Sequence, residues 1–137
     1  MVLSKFLIDT SAAVRMVATR EPPESWLRQV SSGRIAICAF TELELRHSAM
    51  STEHDRRLRA ELSGMFVWAL VRDQCHERAL EVQDGLIANG EHRSAGAVDL
   101  LLAANAELTG LTVLHDDKDF ECIGRVTGQP MLRIHEL

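Results

Sequence analysis

Four stretches of the sequence place carboxylates next to short apolar runs. Asp9-Thr10-Ser11 follows KFLI, Thr41-Glu42-Leu43-Glu44 follows RIAICAF, and Asp99 heads VDLLLAANAEL. His115-Asp116-Asp117-Lys118-Asp119-Phe120 follows LTVLH. Carboxylates drawn together repel one another unless a hard cation sits between them. A donor set of oxygens alone, with no Cys pair, suits Mg²⁺ or Mn²⁺ rather than zinc. Each segment also has a plain structural reading. Asp9, Thr10 or Ser11 would cap a first helix. Thr41-x-x-Glu44 is a capping-box pattern. Asp99 in a first helical turn meets the helix dipole favourably, and Asp116 or Asp117 would cap the next helix. Four such segments at one end of one sheet favour the metal site.

The elements that must position these residues alternate along the chain. Strands are expected at Lys5–Ile8, Arg34–Phe40, Met65–Leu70, Leu111–His115 and Met131–Ile134. Helices are expected at Ser11–Thr19, from Glu24 through Val30, from Thr41 to Ala49, over EHDRRLRAEL up to Ser63-Gly64, and at Gln74–Ala88, Ala97–Leu108 and Lys118–Ile123. Short apolar strands alternating with helices imply an α/β fold, a central parallel sheet of four to five strands with helices on both faces. Ligands of such sheets bind beyond the carboxyl ends of the strands, where the four acidic segments fall. No repeat or flexible linker divides the chain, and residues 1–137 read as one domain.

Composition narrows the class. The 46% hydrophobic and 26% charged fractions exclude a disordered tail, a fibre and a disulfide scaffold. Cys38, Cys75 and Cys122 form no CxxC pair and read as buried free thiols. No apolar run approaches the ~18 residues of a membrane helix, and the opening MVLSKFLIDTSAAV is a poor leader, so the chain is read as cytoplasmic. A net charge of −5 argues against a simple nucleic-acid-binding module but not against an enzyme whose acids converge on a metal. With 4% aromatic residues and no Tyr, no stacking platform for single strands is evident. His115, at a strand end, is expected to support the site by hydrogen bonding rather than to bind the ion.

The order LIDTSA, TELEL, VDLLLAANA and VLHDDKDFECI resembles the PIN-domain ribonucleases, and more narrowly the VapC toxins of type II (VapBC) toxin–antitoxin systems. The closing IGRVTGQP resembles the end of actinobacterial members. The resemblance covers nearly the whole chain and implies a PIN-like fold. It places the family's acidic positions on Asp9, Glu44, Asp99 and Asp117, with Asp119 beside the last and hydroxyls at Thr10 and Ser11. Glu42 and Asp116 are spare acids. Residues i and i+2 of a helix point about 200° apart, so Glu42 and Glu44 cannot face one ion, and Glu44 is preferred.

The resemblance implies metal-dependent hydrolysis of RNA phosphodiesters, leaving a 5′-phosphate and a 3′-hydroxyl. Asp9, Asp99 and Asp117 are the expected metal ligands, completed by Glu44 and Asp119. A divalent ion activates its water and offsets charge on phosphoryl oxygens, which is the chemistry this reaction needs. Setting these five residues aside leaves 15 acids against 15 Lys and Arg, so an RNA substrate is compatible with the net charge. Arg93 and Lys118 are candidate phosphate contacts, with Arg15 and Arg46 behind them, whereas Arg56-Arg57-x-Arg59 reads as a solvated helix face. The resemblance also implies a VapB-type antitoxin and a homodimer, for which the Trp26–Val30 helix and the Leu43/Leu45 helix offer apolar faces. The rival readings are a PIN-type interaction module without activity, a structure-specific DNA nuclease, and a receiver domain, whose required Asp after the third strand is missing here, where MFVWAL runs into Val71-Arg72.

Overall fold

In a computed structural model of the chain, residues 3–137 are described. Met1 and Val2, which open the stretch weighed above as a leader, lie outside them. The chain forms β1 (Phe6–Ile8), α1 (Thr10–Ala18), α2 (Glu24–Ser31), β2 (Ile35–Ile37), α3 (Ala39–His47) and α4 (Thr52–Met65). It continues with β3 (Val67–Trp68), α5 (Cys75–Ala88), α6 (Ala97–Thr109), β4 (Thr112–His115), α7 (Phe120–Thr127) and β5 (Met131–Arg133), and closes on a 3₁₀ turn over Ile134–Glu136. The five strands are parallel in the order β3-β2-β1-β4-β5. No helix among the described residues is long and apolar enough to cross a membrane.

Both faces of the sheet are covered, as the continuously apolar strands require. Leu7, Ala36 and Val113 pack with Ala79, Val82 and Leu86 of α5, Leu102 of α6 and Phe120 and Ile123 of α7. Phe6, Ile8, Ile35, Ile37 and Leu114 pack on the other face with Ala12, Ala13 and Met16 of α1, Trp26 of α2 and Leu62 of α4. Trp26 is therefore core rather than an exposed face, and its indole Nε1 donates to the Ile134 carbonyl at 3.2 Å. The three cysteines are free and buried.

Several boundaries differ from the sequence reading, each for a physical reason. α3 begins at Ala39, so the second strand stops at Ile37 and Cys38 becomes the N-cap. Thr41 therefore lies inside the helix, and its hydroxyl donates to the Ile8 carbonyl at 2.8 Å. This tie between α3 and the end of β1 excludes the capping-box reading of Thr41 and Glu44. α4 runs past Gly64 to Met65 because Leu62 and Phe66 are both buried and the Phe66 N–H closes on the Leu62 carbonyl at 3.0 Å. The third strand shrinks to Val67–Trp68, an exposed edge. α7 extends to Thr127 and stops at Gly128, whose φ of 72° only glycine adopts readily.

The strand order reverses direction about β1. β2 and β3 lie on one side of it, and β4 and β5 on the other. The crevice at such a switch point opens at the carboxyl ends of β1 and β4, which lead into Asp9 and Asp116.

Candidate active site

Asp9 ends β1 and caps α1. Its Oδ1 accepts the Ala12 N–H at 2.9 Å, and the Ser11 hydroxyl lies 2.8 Å from both carboxylate oxygens. Capping is thus part of its role, but the carboxyl is also only 4% exposed. Burial raises its pKa from 3.8 to about 6 against the lowering effect of these hydrogen bonds, and the charge of Asp99 adds to the rise.

Asp99 occupies the first turn of α6 and accepts the Gly96 N–H at 3.4 Å. Its pKa is also raised, first by burial and then, against that hydrogen bond, by the charges of Glu44, Asp117 and Asp119. Asp99 is thus within electrostatic reach of Asp9, Glu44, Asp117 and Asp119, which come from three other segments of the chain. Glu44 is fixed from across the crevice by the Thr10 hydroxyl, which donates to its Oε1 at 2.5 Å.

Four hydrogen bonds that involve a side chain hold residues 116–119. The Asp116 N–H donates to Ser11 Oγ at 2.9 Å, so Ser11 joins the ends of β1 and β4. The Asp117 N–H donates to His115 Nδ1 at 3.3 Å, and the Asp119 N–H to Asp117 Oδ1 at 2.9 Å. Cys122 Sγ donates to the Asp119 carbonyl at 2.9 Å. His115 is buried beside the Phe120 ring, at 5.1 Å between centroids, and burial lowers its pKa. A neutral ring is what an Nδ1 acceptor requires, so His115 supports the loop from beneath.

The spare acids have other partners. Asp116 Oδ2 is 2.6 Å from Arg15 Nε, so these two residues are paired with each other. Glu42 stands beside Arg46 and lines a groove on another side of α3. Arg46 is committed to Asp55 through Nε at 2.9 Å and Nη2 at 3.3 Å. Arg15 and Arg46 thus both have acidic partners. Arg93, in the loop before α6, and Lys118, between two of the acids, are exposed and enter no ion pair among the described residues. The tie from Thr41 to Ile8 escaped the sequence reading, because only the fold brings Thr41 against the end of β1.

Among the described residues no three His, Cys, Asp or Glu side chains are arranged to hold an ion as they stand. The donor chemistry of the crevice still fits a hard divalent cation. It offers carboxylates and hydroxyls only, its cysteines are buried, and the raised pKa values of Asp9 and Asp99 show negative charge held against a cost that a cation would relieve.

The family profile described as PIN domain matches residues 6–126. Ribonuclease VapC2 of Mycobacterium tuberculosis (strain CDC 1551 / Oshkosh) is 44% identical over 132 residues, covering 95% of this chain and 92% of its own. Ribonuclease VapC21 from the same strain is 37% identical over 130 residues, covering 93% and 92%. Among solved structures, the DNA-bound VapBC of Salmonella typhimurium superposes with a TM-score of 0.75 at 20% identity, covering 95% of this chain and 98% of its own. VapBC-5 of Mycobacterium tuberculosis gives a TM-score of 0.67 at 20% identity, covering 98% and 100%. At that identity these structures share the fold. The crevice and the five-stranded parallel sheet are those of a PIN domain, and the chain belongs to that family, among its VapC members.

Proposed function

We propose that this protein is the toxin of a type II toxin–antitoxin pair, an endoribonuclease that hydrolyses RNA phosphodiester bonds with Mg²⁺ or Mn²⁺. The observation that carries the reading is the Asp9 carboxyl at the end of β1, raised to about 6 first by burial and then by Asp99, itself raised first by burial and then by Glu44, Asp117 and Asp119. Structure alone gives no reason to gather Glu44, Asp99, Asp117 and Asp119 beside a buried carboxyl, whereas a bound cation does. The relatives named as ribonucleases support the reaction.

Asp9, Asp99 and Asp117 would hold the ion, with Glu44 and Asp119 completing its surroundings. When bound, a divalent cation lowers the pKa of its water and offsets charge on the phosphoryl oxygens. The protein's own part is to hold the carboxylates in place. Ser11 locks Asp9 to the β4 loop, Thr10 fixes Glu44, and His115 with Cys122 braces residues 117–119. Arg93 and Lys118, exposed and in no ion pair among the described residues, would meet the RNA backbone. An enzyme fits better than an inert interaction module, because the full acid set is present with its supporting hydrogen bonds.

Residues 1–137 act in this reading as one domain, in the cytoplasm where RNA is accessible. Structural neighbours include VapBC complexes, which supports a VapB-type antitoxin as partner, and a homodimer is the expected assembly. The test is induced expression with and without a VapB-type antitoxin, sought as a short reading frame beside the gene. Growth arrest, new RNA ends bearing 5′-phosphates, and reversal of both by the neighbouring product are expected. Unchanged RNA after induction would overturn the reading.

A further inference from the structure

A groove of about 670 Å³ lies between α3, α4 and the end of β3. Its floor is apolar, formed by Ile37, Leu62 and Phe66, all buried. Its wall is Trp68, 52% exposed, and its rim carries Arg56 and Arg59. Neither feature carries a signal in the sequence, where Trp68 stands alone and the arginines look like a solvated face. The fold places them side by side.

Arg56 and Arg59 share the groove with two acids, Glu42 and Asp55, and Asp55 feels both Arg46 and Arg59. Most other arginines in ion pairs meet carboxylates from distant segments, as in Arg15–Asp116, Arg78–Glu107, Arg125–Glu91 and Arg133–Glu121. On α4, Arg56, Arg57 and Arg59 fill three of four successive positions. Arg59 enters no ion pair among the described residues, and Arg56 meets only the exposed Glu53 one turn away, at 3.1 Å. Of the two acids at the rim, Asp55 is already offset by Arg46 and Glu42 stands beside the same guanidinium. An exposed indole over an apolar floor, flanked by guanidiniums, is what a nucleobase with its phosphates requires.

We propose that this groove binds single-stranded RNA, with a base stacked on Trp68 and its phosphates against Arg56 and Arg59. The inference rests on the ribonuclease reading and extends it to a substrate subsite away from the cut. Glu42 lines the groove and Glu44 lies at the acid cluster, on opposite sides of α3. One helix width of ~10 Å separates them, about three nucleotides of a stacked strand at ~3.4 Å each. The subsite would thus read RNA a few nucleotides from the cleaved bond.

The chain has two tryptophans, and Trp26 is buried and hydrogen-bonded, so a fluorescence change on binding reports Trp68. A short single-stranded RNA of mixed sequence is titrated into the protein in EDTA, where binding is read without cleavage. Quenching is expected in the wild type. By anisotropy of labelled RNA, Trp68→Leu is expected to bind ~10-fold more weakly, with Trp68→Phe recovering most of the loss. Arg59→Gln is expected to lower the salt slope by about one. Thermal melts of each variant confirm that it folds. Wild-type binding by Trp68→Leu and Arg59→Gln, in a protein that does cleave RNA, would overturn the subsite and leave the ribonuclease reading intact. Quenching by the antitoxin chain but not by RNA would also overturn it, and would assign the groove to protein docking. A wild type that neither binds nor cuts RNA with Mn²⁺ present would remove the ribonuclease reading and the subsite together.

Discussion

Replacing Asp9 by Asn is expected to stabilise the metal-free protein near neutral pH while abolishing its activity. The carboxyl is buried, and its pKa is raised from 3.8 to about 6. Below the unfolded value both states carry the proton and Asp9 costs nothing. As pH rises from about 4 through about 6, the unfolded chain releases the proton first and the fold loses stability. The full loss, present above that window, is ~3 kcal/mol at 1.36 kcal/mol per decade. Asn keeps an oxygen for the Ala12 N–H, and it is as good an N-cap as Asp. Some of the gain is returned in fitting an amide beside Ser11, so a net stabilisation of about 1–3 kcal/mol is expected at pH 8. His115 titrates in both proteins and cancels in the comparison. Urea unfolding of wild type and Asp9→Asn in EDTA at pH 4, 6 and 8 measures this directly. The two curves should converge at pH 4, and Mg²⁺ at pH 8 should stabilise the wild type but not the variant. A variant destabilised equally at every pH, with no change in its response to Mg²⁺, would reduce Asp9 to a helix cap and refute the reasoning.

Further substitutions separate the roles of neighbouring residues. Glu44→Gln is expected to lower RNA cleavage ~100-fold or more, and Glu42→Gln to leave it near the wild-type rate; initial rates on one labelled RNA rank them. Asp116→Asn breaks the partly exposed pair with Arg15, so it is expected to cost at most ~1 kcal/mol in thermal melts and to spare activity. Asn105 is fully buried on α6, accepts the Arg72 N–H at 2.9 Å and donates to the Leu70 carbonyl at 3.0 Å. Asn105→Ala leaves both backbone groups without partners, and a loss of roughly 2–4 kcal/mol in denaturant unfolding is expected.

The parallel sheet and most of its elements are legible in the sequence because β1, β2 and β4 are buried on both faces and read as unbroken apolar runs. Gly110, with a φ of 73°, ends α6 where the sequence places the stop. The edge was less legible. Met65 to Leu70 is rich in strand formers, but burial of Leu62 and Phe66 carries α4 through Gly64 and leaves two residues for pairing. Tertiary packing there outweighs local preference. At the candidate site, residue types and order suffice to name the acidic segments. They do not show that Asp116 turns to Arg15, that Glu44 meets Thr10, or that Thr41 sits inside α3. Each of these depends on which way a side chain leaves its element, which a spacing pattern does not fix. In the sequence Arg56, Arg57 and Arg59 read as a solvated face and Trp68 stands alone; only the fold sets Arg56, Arg59 and Trp68 around one groove.

The central claim is that the acid cluster hydrolyses RNA only when it holds a divalent cation. The direct measurement is the initial rate of RNA cleavage by the purified protein across a Mg²⁺ and Mn²⁺ titration, in EDTA, and with Asp99→Asn in parallel. The rate is expected to rise and saturate with either ion, to vanish in EDTA, to return when the ion is restored, and to fall by orders of magnitude in Asp99→Asn. Cleavage undiminished in EDTA, or an Asp99→Asn protein as active as the wild type, would contradict the claim.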